Sequence, residues 1–596
     1  MAVRYICRRM TLKGSRRAWT LAGILAVGFG LRLWALDHNL PGLYNPDETP
    51  IMNRALALAN DLNPKNFLYP SLHFYVLFAW EGLFYLVGRM FGLYESLSAF
   101  QLEYFTDPSR IMLAGRALTA VCGAATVFVV YKLGSRLYGP AAGVAGAAFL
   151  AVSPFLVRDA HYVKLDVTVT LMTAIAHVAI ARLVVDGAAA ARPRSWVWAG
   201  FLAGLAISTQ YYVLFTVIAI AGLAVADIRR SGRWQDSARL LAWAAAGTIA
   251  GFLAGSPFFI VEIPTAMRDI SGVRAVDIDR ALAAGGGAFT ALVPYLRMLA
   301  TDAMGPPVFA LAVIGLVYAM ATDWRRGLVL LTFPLAYLFF IAHTVPMSRY
   351  LDAMLPMLAA AAGLGAVTVG AFFRSRATAA TAAIVAASCV PGLLLCIRSN
   401  QFFAQPDTRS LARDYIEHEV PSGATVLTQP YSASIKTSHE ALIEALRTNL
   451  GDERKASVKF QWQMKVAHAP AYRTIFYGDG GTDVDRIFVL PSDVEQQGLA
   501  ALRRHGISYV VLKRSNVPNP ETAALEAGLK NEADLLATFS PYATGTDAPT
   551  QASVSPYFHN TATRIHRALD RPGPIVEVWR LRNAAHAASL VTSPVR

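Results

Sequence analysis

Two adjacent carboxylates, Asp47 and Glu48, stand in the stretch LYNPDETP, between Pro46 and Pro50 and close to Tyr44. A carboxylate on a proline-stiffened loop is suited to take a proton from a hydroxyl, because a general base acts only when held within reach of that proton. The same stretch reads as a helix start, with Asp47 or Thr49 at the N-cap and Pro50 in the first turn. The two roles are compatible. A second acid, Asp166, lies in HYVKLDV at the start of an apolar run, with Asp159, His161 and Lys164 nearby. Acidic groups at membrane depth are costly and usually have work to do, although an interfacial helix cap explains Asp166 equally well. Arg32 and Arg116 sit within apolar runs, and Arg349 with Tyr350 opens another. Such arginines can snorkel. Gathered at one place, their guanidinium forks suit a phosphate.

The elements that must position these groups are membrane helices. The chain has 596 residues, 55% of them hydrophobic and 16% charged, and the apolar residues come in long blocks. That is the composition of a polytopic membrane protein. A net charge of +14 would suggest nucleic acid in a soluble chain. Here the arginines fill short gaps between apolar runs, so topology explains them and no nucleic-acid partner is expected. Candidate spans are 19–37, 111–133, 140–156, 166–185, 195–209, 211–227, 238–257, 307–321, 327–343, 351–372 and 378–397, about eleven in all. Placing the basic gaps in the cytoplasm makes these spans alternate correctly. Those gaps are the N-terminal Arg8 to Arg17, Lys132 and Arg136, Arg182 to Arg194, Arg229 to Arg239, Arg325 and Arg326, and Arg374 and Arg376. The first span reads as uncleaved, since no clear small-residue cleavage site precedes Asp37. The apolar stretch 71–92 breaks this parity if it crosses, and it carries Glu81 and Arg89. It is read as an aromatic-rich helix at the outer interface or re-entering the membrane.

From about Gln401 the composition changes. DTRSLARDYIEHEV has helical spacing, with a threonine near the N-cap, and HEALIEALRTN is a second helical stretch. ATVLT, RIFVL, ISYVVLK and IVEVWRL are short β-type runs. FSPYATGTDAPTQASVSPYF reads as a loop. Residues 1–400 are thus expected to form a transmembrane domain and 401–596 a soluble, extracytoplasmic α/β domain. None of the four cysteines falls in the second part, so it forms no internal disulfide, and no metal-type cysteine spacing exists.

In this order the chain carries YNPDETPIMNRAL, YPSLHFYV, GRALTAVCGAATVFVVYKLGSRLYG, SPFLVRDAHYVKLDV, GLAISTQYY and MSRYLDAMLPMLAAAAG. The series, over about the first 400 residues, resembles the lipid-dependent glycosyltransferases of the GT-C fold, particularly the protein-mannosyltransferase and aminoarabinose-transferase relatives. The resemblance implies a GT-C type membrane enzyme whose sugar donor is carried on a polyprenyl phosphate. It makes Asp47 the expected general base, with Glu48 beside it raising its proton affinity or binding the acceptor. Asp166 matches the acidic position of the second outer loop. Arg349 and Arg116 are expected to stabilise the donor phosphate, with Lys164 and Tyr350 in support, and Tyr69, His73, Gln210 and Tyr211 to bind substrate. Many members have a lysine where this chain has Gln210, and Lys164 is the candidate replacement. No metal ligands are assigned: Asp47, Asp166 and His161 form no recognisable triad by spacing, although a divalent metal would suit a phosphate leaving group.

The expected reaction is a single inverting displacement at the outer face of the cytoplasmic membrane, with the N-terminus inside. The expected acceptor is an envelope glycan, lipid or protein. The rival reading is a lipid or polysaccharide flippase. It should show paired repeats or broken helices near the bilayer midplane, and neither is evident. A sensor or assembly protein is the third reading.

Overall fold

A computed structural model describes residues 14–186, 192–283, 287, 289–480, 483–558 and 562–582. Cys7, Arg8, Arg9 and Lys13 lie outside the described residues. The long apolar runs fold as helices, as they must where lipid offers no hydrogen bonds to the backbone. Among the described residues, seven helical segments are long and apolar enough to cross a membrane, against the eleven expected: Ser109–Tyr138, Asp166–Val185, Tyr211–Ile228, Trp234–Gly255, Pro306–Ile341, Ser348–Ala371 and Arg374–Glu419. Helices occupy the remaining expected positions too. Pro140–Ala151 and Pro193–Ile207 are shorter, and Gly14–Leu33 carries Arg16, Arg17 and Arg32. Pro306–Ile341 is in fact two arms. The backbone leaves the helical region at Asp323 (φ −154°, ψ 77°). A Cβ on Gly327 would lie 3.2 Å from the Met320 nitrogen, whereas a continuous helix would separate seven residues by about 10 Å. The arms match 307–321 and 327–343.

The helices approach closely through small residues. Pro193–Ile207 carries Gly200 and Gly204, and Trp234–Gly255 carries Gly247 and Gly251, each pair four residues apart. A Cβ on any of them would collide with a carbonyl of the other helix, the close contact that small residues permit in membranes. Gly315 and Gly365 likewise face Ala361 and Leu311, so the central helix Ser348–Ala371 packs tightly on the first arm.

The bundle has two chemically distinct ends. At one end Arg136 pairs with Asp186 at 2.8 Å, and Arg326 donates to the Leu137 carbonyl. Asp186 directly follows Asp166–Val185, a helix of 20 residues and so about 30 Å long. Asp166, at its other terminus, lies near Asp47, Lys164 and Arg349. The stretch 71–92 forms the helix Leu72–Met90, with Phe74, Leu77 and Glu81 buried and Leu83, Leu86 and Met90 exposed. It is not among the seven.

The C-terminal part is a six-stranded sheet in the order β3-β2-β1-β4-β6-β5. The strands are β1 (Thr425–Thr428), β2 (Arg473–Tyr477), β3 (Phe488–Val489), β4 (Tyr509–Arg514), β5 (Ala533–Phe539) and β6 (Ile575–Leu581). β1 to β4 run parallel, and β6 is antiparallel to both its neighbours. Alternation serves two faces. Leu427, Val510 and Leu512 meet Val494, Leu502, Leu525 and Leu529 on one side. Val426 and Val511 meet Ala412 and Ile416 of the helix Thr408–Glu419 on the other. Asp407 caps that helix, accepting from the Arg409 amide, and the expected threonine, Thr408, stands next to it. The expected loop before β6 contains a short helix, Ala548–Ser553. This part sits on the acidic end of the bundle. Tyr44 bonds Ser410 at 3.1 Å, the Arg409 guanidinium lies 4.0 Å from the Tyr44 ring centroid, and Lys436 donates to the Thr106 carbonyl.

Candidate active site

The loop LYNPDETP is fixed by its own turn. Asn45 Oδ1 accepts from the Asp47 amide at 3.0 Å, and the Asn45 carbonyl accepts from the Glu48 amide. The helix Glu48–Ala57 follows, with Asp47 at its N-cap. Asp47 nevertheless makes no side-chain cap bond. Its carboxylate turns instead to the Arg349 guanidinium, with which it is hydrogen bonded, and to Lys164 Nζ at 3.4 Å. Lys164 also pairs with Asp166 at 3.5 Å. Two acids and two cations from three separate segments therefore meet, and their formal charges cancel.

The cluster has depth. Lys164 is 1% exposed and Asp166 12%, while Arg349 and Asp47 are 27% and 32% exposed. Lys164 and Asp166 form the floor, and Asp47 with Arg349 the accessible edge. Burial alone would lower the Lys164 ammonium, but Asp166, Asp159 and Asp47 outweigh it and hold the group above its ordinary range. The Arg349 guanidinium lies 5.7 Å from the Tyr350 ring centroid. Tyr69 is mostly buried within electrostatic reach of Arg349, Asp47 and Asp166, and burial pushes its phenol up.

Glu48 and Arg116 are not part of this edge. Both are buried and joined by two hydrogen bonds, Nε to Oε1 at 2.8 Å and Nη2 to Oε2 at 2.9 Å. Arg116 Nη1 donates to the carbonyls of Leu36 and His38, and Glu48 Oε1 also accepts from the Val163 amide. The guanidinium expected to meet a phosphate is held here by hydrogen bonds to Glu48, Leu36 and His38. The pairing has a physical reason: a buried carboxylate needs donors, and Arg116 with the Val163 amide supplies them to Glu48. Arg32 donates to the Gly28 and Ala151 carbonyls. His161 places its two ring nitrogens on the Val157 and Trp34 carbonyls, away from a metal triad with the acids. Among the described residues, no three His, Cys, Asp or Glu groups are placed to hold a metal ion. His73 bonds Thr168 at 3.2 Å, Gln210 accepts from the Tyr211 amide, and Tyr211 donates to the Phe67 carbonyl. These three are held by internal contacts.

Other residues support the floor. Arg158 makes a two-point pair with Asp159 and reaches Ser348, beside Arg349, at 3.0 Å. Asp352 is fully buried within electrostatic reach of Asp159 and Arg158. Tyr212 stacks on Tyr337 with centroids 4.2 Å apart. In sequence, Arg158 and Asp352 differ from their neighbours only as charges flanking apolar runs, and that signal was open to reading.

The family described as dolichyl-phosphate-mannose-protein mannosyltransferase matches residues 109–258. No curated protein matches the chain in sequence. Among solved structures, the Archaeoglobus fulgidus oligosaccharyltransferase tethered to an acceptor peptide is similar with a TM-score of 0.52 at 11% identity, over 96% of this chain and 89% of that one. ArnT from Cupriavidus metallidurans bound to undecaprenyl phosphate has a TM-score of 0.50 at 13% identity, over 96% of this chain and 99% of that one. The apo form of that ArnT gives 0.50 at 14% identity, over the same shares of the two chains. The fold is the GT-C fold that the sequence motifs resemble.

Proposed function

We propose that the chain is a membrane glycosyltransferase that moves a sugar from a polyprenyl-phosphate donor to an acceptor hydroxyl, with Asp47 as the base. The observation that carries this reading is the joint placement of Asp47 and Arg349 at the accessible edge of a charge-balanced cluster. The match to a mannosyltransferase family over 109–258, and the undecaprenyl phosphate bound by the similar ArnT, support a lipid-phosphate donor.

The geometry suggests an order of events. Without donor, Asp47 is neutralised by Arg349 and Lys164. A donor phosphate competes for those cations and frees the Asp47 carboxylate to face the acceptor. The acceptor oxygen attacks the anomeric carbon while Asp47 takes its proton. The bond from that carbon to the phosphate oxygen breaks, and polyprenyl phosphate leaves with the electron pair. One displacement inverts the centre. Charge grows on the phosphate as it leaves, where fixed cations are most useful. Arg349 and Lys164 fill that role; Arg116 with Glu48 holds the loop. Tyr69 and Tyr350 offer aromatic walls. Assigning the basic end to the cytoplasm by the positive-inside rule puts the reaction at the outer face of the cytoplasmic membrane.

Transfer from a polyprenyl-phosphate sugar, followed by mass spectrometry of envelope glycans in a complemented deletion strain, tests the reading. Asp47→Asn should insert normally and lose about 10²–10⁴-fold in rate. Full restoration of the missing sugar by this variant would remove Asp47 from the mechanism.

A further inference from the structure

The C-terminal sheet holds a cavity of about 390 Å³ that shares no residue with the Asp47 cluster. Its walls come from the carboxyl ends of three parallel strands. Gln429 follows β1, Gly478 follows β2, and Arg514 to Asn519 end and follow β4. The connection from β1 leads to β2 on one side, and the connection from β4 leads to β5 and β6 on the other. The two exits diverge at a topological switch point, where open α/β sheets bind ligands. The volume falls within the range of small-molecule sites, about 300–1,000 Å³.

The lining indicates the ligand class. Arg514 is neutralised by Glu577 at 2.7 Å and Glu526 at 3.9 Å. Lys513 donates to the Pro430 carbonyl at 3.0 Å. The turn after β1, QPYSASIKTSHE, contains no glycine, so it builds no phosphate cradle. A phosphate cradled by backbone amides is disfavoured. Three amides remain, each anchored by one half. Gln429 Oε1 accepts from the Lys513 amide, Asn516 Nδ2 donates to the Ala552 carbonyl, and Asn519 Oδ1 accepts from the Glu521 amide. Their other halves supply a donor, an acceptor and a donor. Fixed groups of both kinds match hydroxyls, which donate and accept at once.

We propose that this crevice is a saccharide-binding site. The assignment does not depend on the transferase reading, although the same domain grips Tyr44, three residues before Asp47. Saturation-transfer difference NMR on the full chain in lipid nanodiscs tests it, with mono- to trisaccharides of mannose, glucose, galactose and arabinose as probes. At least one probe should give a signal that persists in Asp47→Asn. Gln429→Ala and Asn516→Ala, with unchanged unfolding midpoints, should weaken binding about tenfold each, the loss of one hydrogen bond. No signal from any probe, a signal indifferent to both alanine variants, or displacement of the sugar by inorganic phosphate would overturn the proposal.

Discussion

Lys164 is the residue on which the proposed chemistry turns, because it is the buried cation touching both acids. Its ammonium is held above its ordinary range, so it stays charged through neutral and mildly alkaline conditions. No alkaline loss of activity from this group is expected within the ordinary range of a lysine. Lys164→Met should move the acidic limb of the rate profile to higher pH, since Arg349 alone is then left to offset the repulsion between the two carboxylates. A profile of transfer rate against pH for both proteins checks this, and an unshifted acidic limb would exclude Lys164 from the site. The sequence marked Lys164 as a substitute for the charge missing at Gln210, and the structure does put it between Asp47 and Asp166. Asp47 and Arg349 were legible too, because proline flanks and a span boundary identify them locally. The fate of Arg116 was not legible: whether a buried arginine meets a ligand or a neighbouring glutamate depends on a contact 68 residues away.

At the scale of elements, the Glu48–Arg116 pair ties the first outer loop to the helix Ser109–Tyr138, and the Val163 bond adds the segment that carries Lys164. Removing one member leaves an uncompensated buried charge. Glu48→Met and Arg116→Met should each cost about 3–5 kcal/mol, and the double variant much less than their sum. Unfolding of the four proteins in detergent measures the coupling; additive losses would mean the pair is not a unit. Both single variants should also lose transfer activity, since a displacement of about 1 Å can cost of order 10² in rate. Elements were readable where pattern is strong, as in the apolar runs and in β4 and β6. β2 and β5, RTIFY and ADLLATF, were missed although they are no shorter than β1 and β3. Their strand state comes from pairing with β1 and β6, a tertiary effect that local propensity does not carry.

The whole molecule carries polar clusters at both ends of the bundle. Arg136, Asp186 and Arg326 meet at one end of the bundle. The Asp47 cluster and the C-terminal sheet share the other, joined through Tyr44, Ser410 and Arg409. This joint links the C-terminal sheet to the loop that carries Asp47. Arg409 is buried, paired twice with Asp407, and stacked on Tyr44. Arg409→Met should therefore slow transfer without weakening donor binding, read as a fall in kcat at nearly constant KM; an equal fall in affinity would place the effect on the donor instead. The positive-inside rule turns this arrangement into an expected orientation. With the basic end in the cytoplasm, everything from Thr408 onward is outside. The C-terminal third has no cysteine, so Lys530→Cys, on the exposed side of the helix Pro520–Glu532, introduces a single thiol there. The described native cysteines, Cys122, Cys389 and Cys396, lie within helices and are at least half buried. An impermeant maleimide added to intact spheroplasts should label Lys530→Cys fully. Labelling only after the membrane is opened would invert the topology and with it the face at which a lipid-borne sugar could meet Asp47.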